Sequence, residues 1–229
     1  MAKHGKKYRD TLKLAPKQPV GFEEAIAFIK EHPGAKFDET VEIAMRLGVD
    51  STKSDQTVRG TVSLPHGTGR NVRVIVFAAC TQADAARAAG ADEAGYDDLI
   101  EKVKGGWTEF DVAIATTDAM KEVRKLGRVL GPRGLMPNPK TGTVTDDVGP
   151  AVTAAKGGRV EFRMDRTGNV SVRCGKRSFE AAKLLENMMA ILDALQAERP
   201  AGAKGAFIRS CTISTTMGVG IPVILPTKE

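Results

Sequence analysis

The residue types that catalyse reactions or bind metals are scattered along this 229-residue chain. The three histidines and three cysteines form no CxxC pair and no zinc-type Cys/His spacing. Separate thiols at Cys80, Cys174 and Cys211 are typical of buried cysteines in a reducing compartment. Acidic pairs such as Asp97-Asp98 are typical of helix starts and turns rather than of acid–base catalysis. We therefore expect no catalytic residue, no metal site and no cofactor.

The segment LGPRGLMPNPK (130–140) matches only part of the glycine and lysine spacing of a phosphate-binding loop. Such a loop needs a glycine directly before its lysine, so that backbone N–H groups face the phosphate oxygens. Pro139 occupies that place and has no N–H to donate. The segment therefore predicts a stiff loop that carries Arg133 and Lys140, and not a nucleotide site.

The distribution of charge is more informative than the net charge of +6. Residues 67–158 contain 12 basic and 12 acidic residues, so the two flanks hold the remaining 22 basic and 16 acidic ones. A basic excess favours a polyanionic partner, because phosphate contacts release condensed counterions. The sequence has neither an evident signal peptide nor an apolar run of membrane-helix length. We expect a soluble cytoplasmic protein with no membrane partner.

Three short segments of the flanks combine cations, hydroxyl groups and glycine in a way that suits folded RNA. They are Lys36-Phe37-Asp38-Glu39-Thr40, Asp165-Arg166-Thr167-Gly168 and Ser214-Thr215-Thr216-Met217-Gly218. Each segment taken alone is also typical of an ordinary turn. Aromatic residues make up only 5% of the chain, so shape recognition is favoured over base stacking.

The elements that must position these segments are predicted from hydrophobic periodicity. In the flanks we expect a basic N-terminal arm, a helix at 22–32, strands at 41–49 and 57–64, a β-hairpin at 160–173 with its turn at 165–168, a long helix at 178–198, and a strand at 205–214. In the middle we expect strands at 72–79 and 111–115, helices at 82–90 and 97–105, a short segment near Tyr96, and a further helix capped by Asp118. Alternating apolar strands and helices indicate a doubly wound α/β unit.

Neither flank could bury its own sheet alone, which predicts that the two fold together. The predicted fold is an α+β domain formed by residues 1–66 and 159–229, with residues 67–158 inserted as an α/β domain. The partial dinucleotide fingerprint at Gly67 and Gly69 precedes a strand instead of following one, which favours a hinge over a cofactor site. Together with Gly157 and Gly158 it predicts a two-stranded hinge. The alternative is one continuous α/β domain.

Five motifs resemble a known family: AKFDET (35–40), KSDQTVRG (53–60), LPHGTGR (64–70), LGPRGLMPNPK (130–140) and STTMG (214–218). These motifs make the chain similar to the bacterial large-subunit ribosomal protein one family, and the similarity runs from the basic arm to the tail. The resemblance implies an inserted Rossmann-like, three-layer α/β domain. It also implies a structural protein, monomeric when free, that binds large-subunit ribosomal RNA in the mobile stalk. It would assist release of deacylated transfer RNA from the exit site and repress its own operon messenger RNA.

The resemblance also implies which residues face RNA. They are Lys36, Phe37, Thr40, Arg163, Asp165, Arg166, Thr167, Gly168, Ser214, Thr215, Thr216, Met217 and Gly218. Phe37 would pack on a sugar or base, and Thr216, Met217 and Gly218 would approach the RNA backbone closely. The family usually has Asn-Asp-Lys where this chain has Met164-Asp165-Arg166, and Asn at the position of Thr57.

Two other classes of protein remain as alternatives. A nucleotide- or cofactor-dependent enzyme would use the α/β insert, and ligand binding would then stabilise that insert. A protein–protein scaffold would bind no RNA.

Overall fold

A computed structural model describes residues 5–203 and 205–225, without the side chains of Ser54, Cys80 and Lys140. The chain divides into two compact units. Unit 1 consists of Met1–Gly69 and Val160–Glu229, and unit 2 consists of Arg70–Arg159. Both termini therefore belong to the same unit.

The described residues of unit 1 form three α-helices and six strands. They are α1 (Lys6–Leu14), α2 (Phe22–Glu31), β1 (Thr40–Leu47), β2 (Arg59–Ser63), β6 (Arg159–Arg163), β7 (Asn169–Lys176), α8 (Ala181–Ala197), β8 (Ile208–Thr215) and β9 (Ile221–Val223). The predicted helices at 22–32 and 178–198 are confirmed, and the tail contains one strand more than the sequence indicated.

The main sheet of unit 1 has the strand order β7-β1-β8-β9, and its β1–β7, β1–β8 and β8–β9 pairs are antiparallel. Along β1 the alternate residues Val41, Ile43, Met45 and Leu47 are at most 3% exposed. They pack in one core with apolar side chains of α2 and α8. Each such side chain contributes roughly 1.5–3 kcal/mol by its burial. The predicted period-two pattern is confirmed, and it leaves the polar side chains of β1 on the other face.

The predicted β-hairpin at 160–173 is wrong. A tight turn does join β6 to β7, with the Asp165 N–H donating to Asn169 O at 2.8 Å. The two strands then enter different sheets, because β6 pairs with β2 while β7 pairs with β1. The Met164 N–H, for example, donates to Val58 O at 3.0 Å. The turn is therefore a corner between two sheets.

Unit 2 alternates short strands and helices. They are β3 (Val74–Phe77), α3 (Cys80–Ala88), β4 (Glu93–Gly95), α4 (Asp97–Lys104), β5 (Val112–Ala115), α5 (Met120–Val123), α6 (Gly127–Leu130) and α7 (Val148–Lys156). The strands form a parallel sheet in the order β4-β3-β5. All four residues of β3 are buried, as a strand covered on both faces requires.

Two apolar clusters cover the two faces of this sheet. Ile75 and Phe77 pack with α4 and with the segment containing α5 and α6. Val74 and Val76 pack with α3 and α7. The predicted cap at Asp118 is wrong, because α5 begins after Ala119 and has no side-chain cap. Thr116 is used instead, since its Oγ1 accepts from the Ala119 N–H at 3.3 Å.

The proline-rich loop 130–140 lies in unit 2 and is tied down at its end. The carbonyl of Asn138 accepts hydrogen bonds from the Thr141 N–H and from the Oγ1 of Thr141 and Thr143. Pro139–Thr141 form a single 3₁₀ turn, and the chain then runs beside β5 through Val144. No α-helix starts at the lysine position within the described residues, so the phosphate-loop geometry is excluded.

Candidate nucleic-acid interface

Two of the predicted segments meet at one end of β1. The Thr40 N–H donates to Thr216 Oγ1 at 3.1 Å, and the Thr216 N–H donates to Thr40 O at 3.1 Å. We call residues 34–40 and 214–218 together the first loop cluster. Segments that are 176 residues apart in sequence thus form one continuous surface.

A buried carboxylate, that of Glu39, connects these two loops through hydrogen bonds. Glu39 is 0% exposed, and its carboxylate is bound by backbone N–H groups. One carboxylate oxygen accepts from the Gly34 N–H and the other from the Met217 N–H, both at 3.0 Å. Hydrogen bonds of this charge-assisted kind are the strong ones. Sequence reasoning missed Glu39, because a glutamate between two polar residues has the pattern of a surface position.

The side chains presented by the first loop cluster are mixed in character. Phe37 and Met217 are 54% and 57% exposed, which is unusual for large apolar residues. Lys36 and Thr216 are also exposed. Thr215 differs from its neighbours, since it is 7% exposed and turns into the protein. Of the predicted segment, Thr216 and Met217 are therefore the side chains best placed for a partner.

Two glycines of the first loop cluster lie in crowded surroundings. A Cβ on Gly34 would lie 2.8 Å from the backbone of Met217 in the other loop, and a Cβ on Gly218 would meet Thr215 Oγ1 in its own loop. A side chain at Gly34 would force the backbone of the other loop to move, whereas a side chain at Gly218 would displace the hydroxyl of Thr215. Gly218 is half-buried, and its predicted close approach to the RNA backbone stays a prediction.

The predicted turn 165–168 is organised by Asp165, whose carboxylate is used internally. Its Oδ1 accepts from the N–H groups of Thr167 and Asn169, each at 2.8 Å, and from Thr167 Oγ1 at 2.8 Å. The backbone hydrogen bond from Asn169 and the hydroxyl of Thr167 hold the pKa of Asp165 below its ordinary value. Asp165 therefore shapes the turn, while Arg163, Arg166 and Thr167 are exposed and Gly168 is buried.

A second segment, residues 50–56, packs beside this turn. Ser51 Oγ donates to Arg166 O at 2.7 Å, and Gln56, which is 8% exposed, accepts from the Asp50 N–H at 2.8 Å. We call residues 50–56 and 165–168 the second loop cluster. Lys53 and Arg166 of this cluster are both exposed, and sequence spacing could not indicate that their segments meet.

The two loop clusters lie at opposite ends of the main sheet. Thr40 pairs with Lys176 at one end of β1, and Arg46 pairs with Asn169 at the other. Because a strand rises about 3.3 Å per residue, the clusters are roughly 20 Å apart. Between them the alternate residues of the sheet are half-buried or exposed: Glu42, Ala44, Ser171, Arg173, Thr212 and Ser214. The residues predicted to face RNA therefore lie in two separate clusters and not in a single site.

Met164, which replaces the family's usual asparagine, is 6% exposed and packs in the core of unit 1. Its side chain is therefore not part of a surface. Thr57, the other departure from the family's pattern, is exposed.

The expected hinge glycines lie where the chain passes between the two units. Gly67, Gly69 and Gly158 have positive φ angles of 65°, 68° and 100°, whereas Gly157 has φ −71° at the end of α7. A Cβ on Gly69 would also lie 2.8–2.9 Å from the side chains of Phe179 and Lys176. Gly69 thus combines a positive φ with close side-chain neighbours.

Asn187 of α8 anchors the segment that precedes the first of these passages. It is 0% exposed, accepts from the His66 N–H at 3.1 Å, and donates to Gly67 O at 3.1 Å and Cys174 O at 2.7 Å. The sequence around Asn187 shows only an asparagine on the apolar face of a helix, so it could not predict that Asn187 binds the backbone of another segment.

The part of the chain that the structure describes has few other groups suited to metal binding or catalysis. Its histidine, cysteine and acidic side chains include no group of three that could hold a metal ion. Burial raises the pKa of the Cys174 thiol far above its ordinary range and that of Cys211 to about 12, so both are protonated thiols. None of the described helices is both long and apolar enough to cross a membrane.

Comparison with known proteins identifies the family. Residues 29–219 match the model of the "Ribosomal protein L1p/L10e family". The large ribosomal subunit protein uL1 of Mycobacteroides abscessus is 54% identical over 224 residues, which cover 97% of this chain and 95% of that protein. The large ribosomal subunit protein uL1 of Thermobifida fusca is 58% identical over 200 residues, covering 87% and 85%.

These similarities define the class first: the protein is a ribosomal protein and is not an enzyme. The chain belongs to the ribosomal protein L1p/L10e family. The resemblance to the bacterial large-subunit ribosomal protein one family is thereby confirmed.

Proposed function

We propose that this chain is a structural protein of the large ribosomal subunit in the cytoplasm, and that unit 1 binds large-subunit ribosomal RNA of the mobile stalk. The names of the two relatives support the first part. The observation that carries the second part is the first loop cluster. There Glu39 holds two distant loops together, so that Lys36, Phe37, Thr216 and Met217 are exposed side by side before any partner arrives.

The chemistry of this surface suits folded RNA. Hydroxyl and backbone groups can contact ribose 2′-hydroxyls and phosphates, and Phe37 and Met217 can cover a sugar or a base. The second loop cluster adds Arg163 and Arg166, and Arg166 could bind a phosphate with two N–H groups where lysine could use one. RNA that reaches both clusters must extend roughly 20 Å along the main sheet. We therefore infer recognition of a shaped RNA surface instead of a single base.

We further propose that unit 2 is an inserted Rossmann-like domain and that the glycine passages form a two-stranded hinge. The parallel sheet of unit 2, which has helices on both faces, supports the first statement. The positive φ angles of Gly67, Gly69 and Gly158 support the second. Such a hinge would let the stalk-bound protein, a monomer when free, assist release of deacylated transfer RNA from the exit site. The same RNA surface would repress the operon by binding a mimicking site in its messenger RNA.

A filter-binding comparison tests the RNA-binding proposal directly. The full-length protein is titrated against a transcript of the large-subunit stalk RNA and against an unrelated hairpin of equal length, at several salt concentrations. We expect tighter binding to the stalk RNA and a log affinity that falls linearly with log salt concentration, because phosphate contacts release counterions. Equal affinity for both RNAs, or a flat salt response, would contradict the proposal, and no binding to either RNA would favour a protein–protein scaffold.

A further inference from the structure

A cavity of about 520 Å³ opens beside the first loop cluster. It is lined by Lys30, Lys36, Phe37, Asp38, Arg177 and Ser178. Its volume lies within the range of about 300–1,000 Å³ that is common for ligand sites. Lys36, Phe37 and Asp38 belong to the first loop cluster, and the other three residues extend that interface onto α2 and the segment after β7.

The charge in this cavity is unbalanced. Lys30, Lys36 and Arg177 provide three cations, and Asp38 provides one anion among the lining residues. Both oxygens of Asp38 are already engaged, since they accept from the N–H and the Oγ of Ser178 at 3.1 and 2.8 Å. None of the three cations has a carboxylate at ion-pairing distance within the described residues, although Glu180 lies near enough to Lys30 to be influenced by it.

Arg177 differs from the two lysines because one of its side-chain nitrogens is buried and unpaired within the described residues. Its Nε is buried and has no hydrogen-bond partner in the part of the chain that the structure describes. Its Nη1 donates only to the carbonyl of Lys30, at 3.5 Å, which is a long hydrogen bond. The Arg177 N–H donates to Glu39 O at 2.8 Å, so the residue is fixed at the base of the first loop cluster. A guanidinium that is partly desolvated and has so few acceptors requires compensating negative charge.

From this arrangement we infer that the cavity binds one phosphate group of the RNA backbone, with Lys30 and Arg177 as its cations and Phe37 covering the adjoining ribose or base. The inference rests on the proposed function and adds Lys30 and Arg177 to the RNA-binding residues. A phosphodiester supplies the missing charge and acceptor oxygens together, and arginine is well suited to bind it in a forked geometry. The neighbouring aromatic side chain explains why a nucleotide fits better than an isolated anion.

The experiment compares the full-length protein with Lys30→Gln, Arg177→Gln and the double variant in filter binding to the stalk-RNA transcript. Lys104→Gln serves as the matched control, because it removes one exposed cation at the end of α4 in unit 2. We expect each single variant to lose affinity several-fold and the double variant about tenfold. The slope of log affinity against log salt should fall by roughly 0.7–0.9, the value for one lost phosphate contact. The control should leave affinity and slope unchanged.

The outcomes separate this inference from the proposed function. Binding of the wild-type protein together with an unchanged slope in Lys30→Gln and in the double variant overturns the phosphate site alone. Failure of the wild-type protein to prefer stalk RNA overturns the proposed function itself. Thermal unfolding of every variant is measured beside binding. If Arg177→Gln proves unfolded, Lys30→Gln decides, since its half-buried side chain contributes no hydrogen bond of its own to the fold within the described residues.

Discussion

At the scale of single residues, Glu39 shows how a buried group can organise a surface to which it does not itself belong. It is 0% exposed, and its two oxygens accept from backbone N–H groups of two loops. Removing one acceptor would leave a partly buried N–H without this partner, which costs up to about 1–3 kcal/mol. The exposed residues of the first loop cluster therefore depend on a residue that no partner would touch.

Replacing Glu39 by glutamine tests this dependence. The amide keeps one acceptor oxygen but turns an NH₂ group toward the other backbone N–H, so the loops should separate. We expect unfolding in urea to show a loss of about 1–3 kcal/mol, and filter binding to show at least a tenfold loss of affinity for stalk RNA. Glu31→Gln, the same change at the exposed end of α2, is the control and should alter neither quantity. Unchanged affinity in Glu39→Gln would remove the first loop cluster from the RNA site.

At the scale of elements, the turn 165–168 connects two sheets and presents Arg166 and Thr167. Its pattern, a polar turn between two alternating strands, is also the pattern of a hairpin, which is why the sequence predicted one. Local sequence cannot say which strand becomes the partner, because backbone hydrogen bonds between strands are the same for any pair. The turn is a corner because β6 pairs with β2 and β7 pairs with β1 in the folded protein.

The turn should respond to pH through Asp165. Its pKa is lower in the folded protein than in the unfolded chain, where an aspartate has a pKa of about 3.9. The stabilisation is therefore fully present above pH 3.9 and is lost as pH falls through the folded-state pKa. We expect the melting temperature of wild type to exceed that of Asp165→Asn at neutral pH and to converge with it in acid.

Asp55→Asn, in the neighbouring loop, provides the control for this comparison and should show no such convergence. Asp165→Asn should also weaken binding to stalk RNA at neutral pH, because Arg166 and Thr167 lose their fixed positions. A melting difference that persists unchanged into acid would show that the carboxylate does not support the turn.

At the scale of the whole molecule, the core of unit 1 is complete without unit 2. Its buried apolar residues come only from the segments before Gly69 and after Val160, including α2, β1 and α8. The two loop clusters also lie entirely in these segments. Unit 1 should therefore fold and bind RNA without residues of unit 2.

A shortened protein lacking residues 70–156, with Gly69 joined to Gly157, tests that expectation. We expect cooperative thermal unfolding and an affinity for stalk RNA within about threefold of the full-length value, since no phosphate-contacting residue is lost. A shortened protein that does not fold would show that unit 1 depends on unit 2. One that folds but does not bind would move the RNA site away from unit 1.

The sequence alone determined the strands and helices whose apolar residues repeat with a clear period, such as β1 and α8, because burial imposes that period directly. Through the resemblance it also supplied Lys36, Phe37 and the segment 214–218 as candidate RNA contacts. Only the tertiary structure decided that Glu39 and Asn187 bind distant backbone groups, that Arg177 has a buried unpaired nitrogen among the described residues, and that the candidates form two clusters at opposite ends of a sheet. The physical reason is that hydrophobic periodicity shows which side of an element faces the core. The hydrogen bond between residues 39 and 217 joins segments that are far apart in sequence, and no local sequence pattern predicts such a pairing.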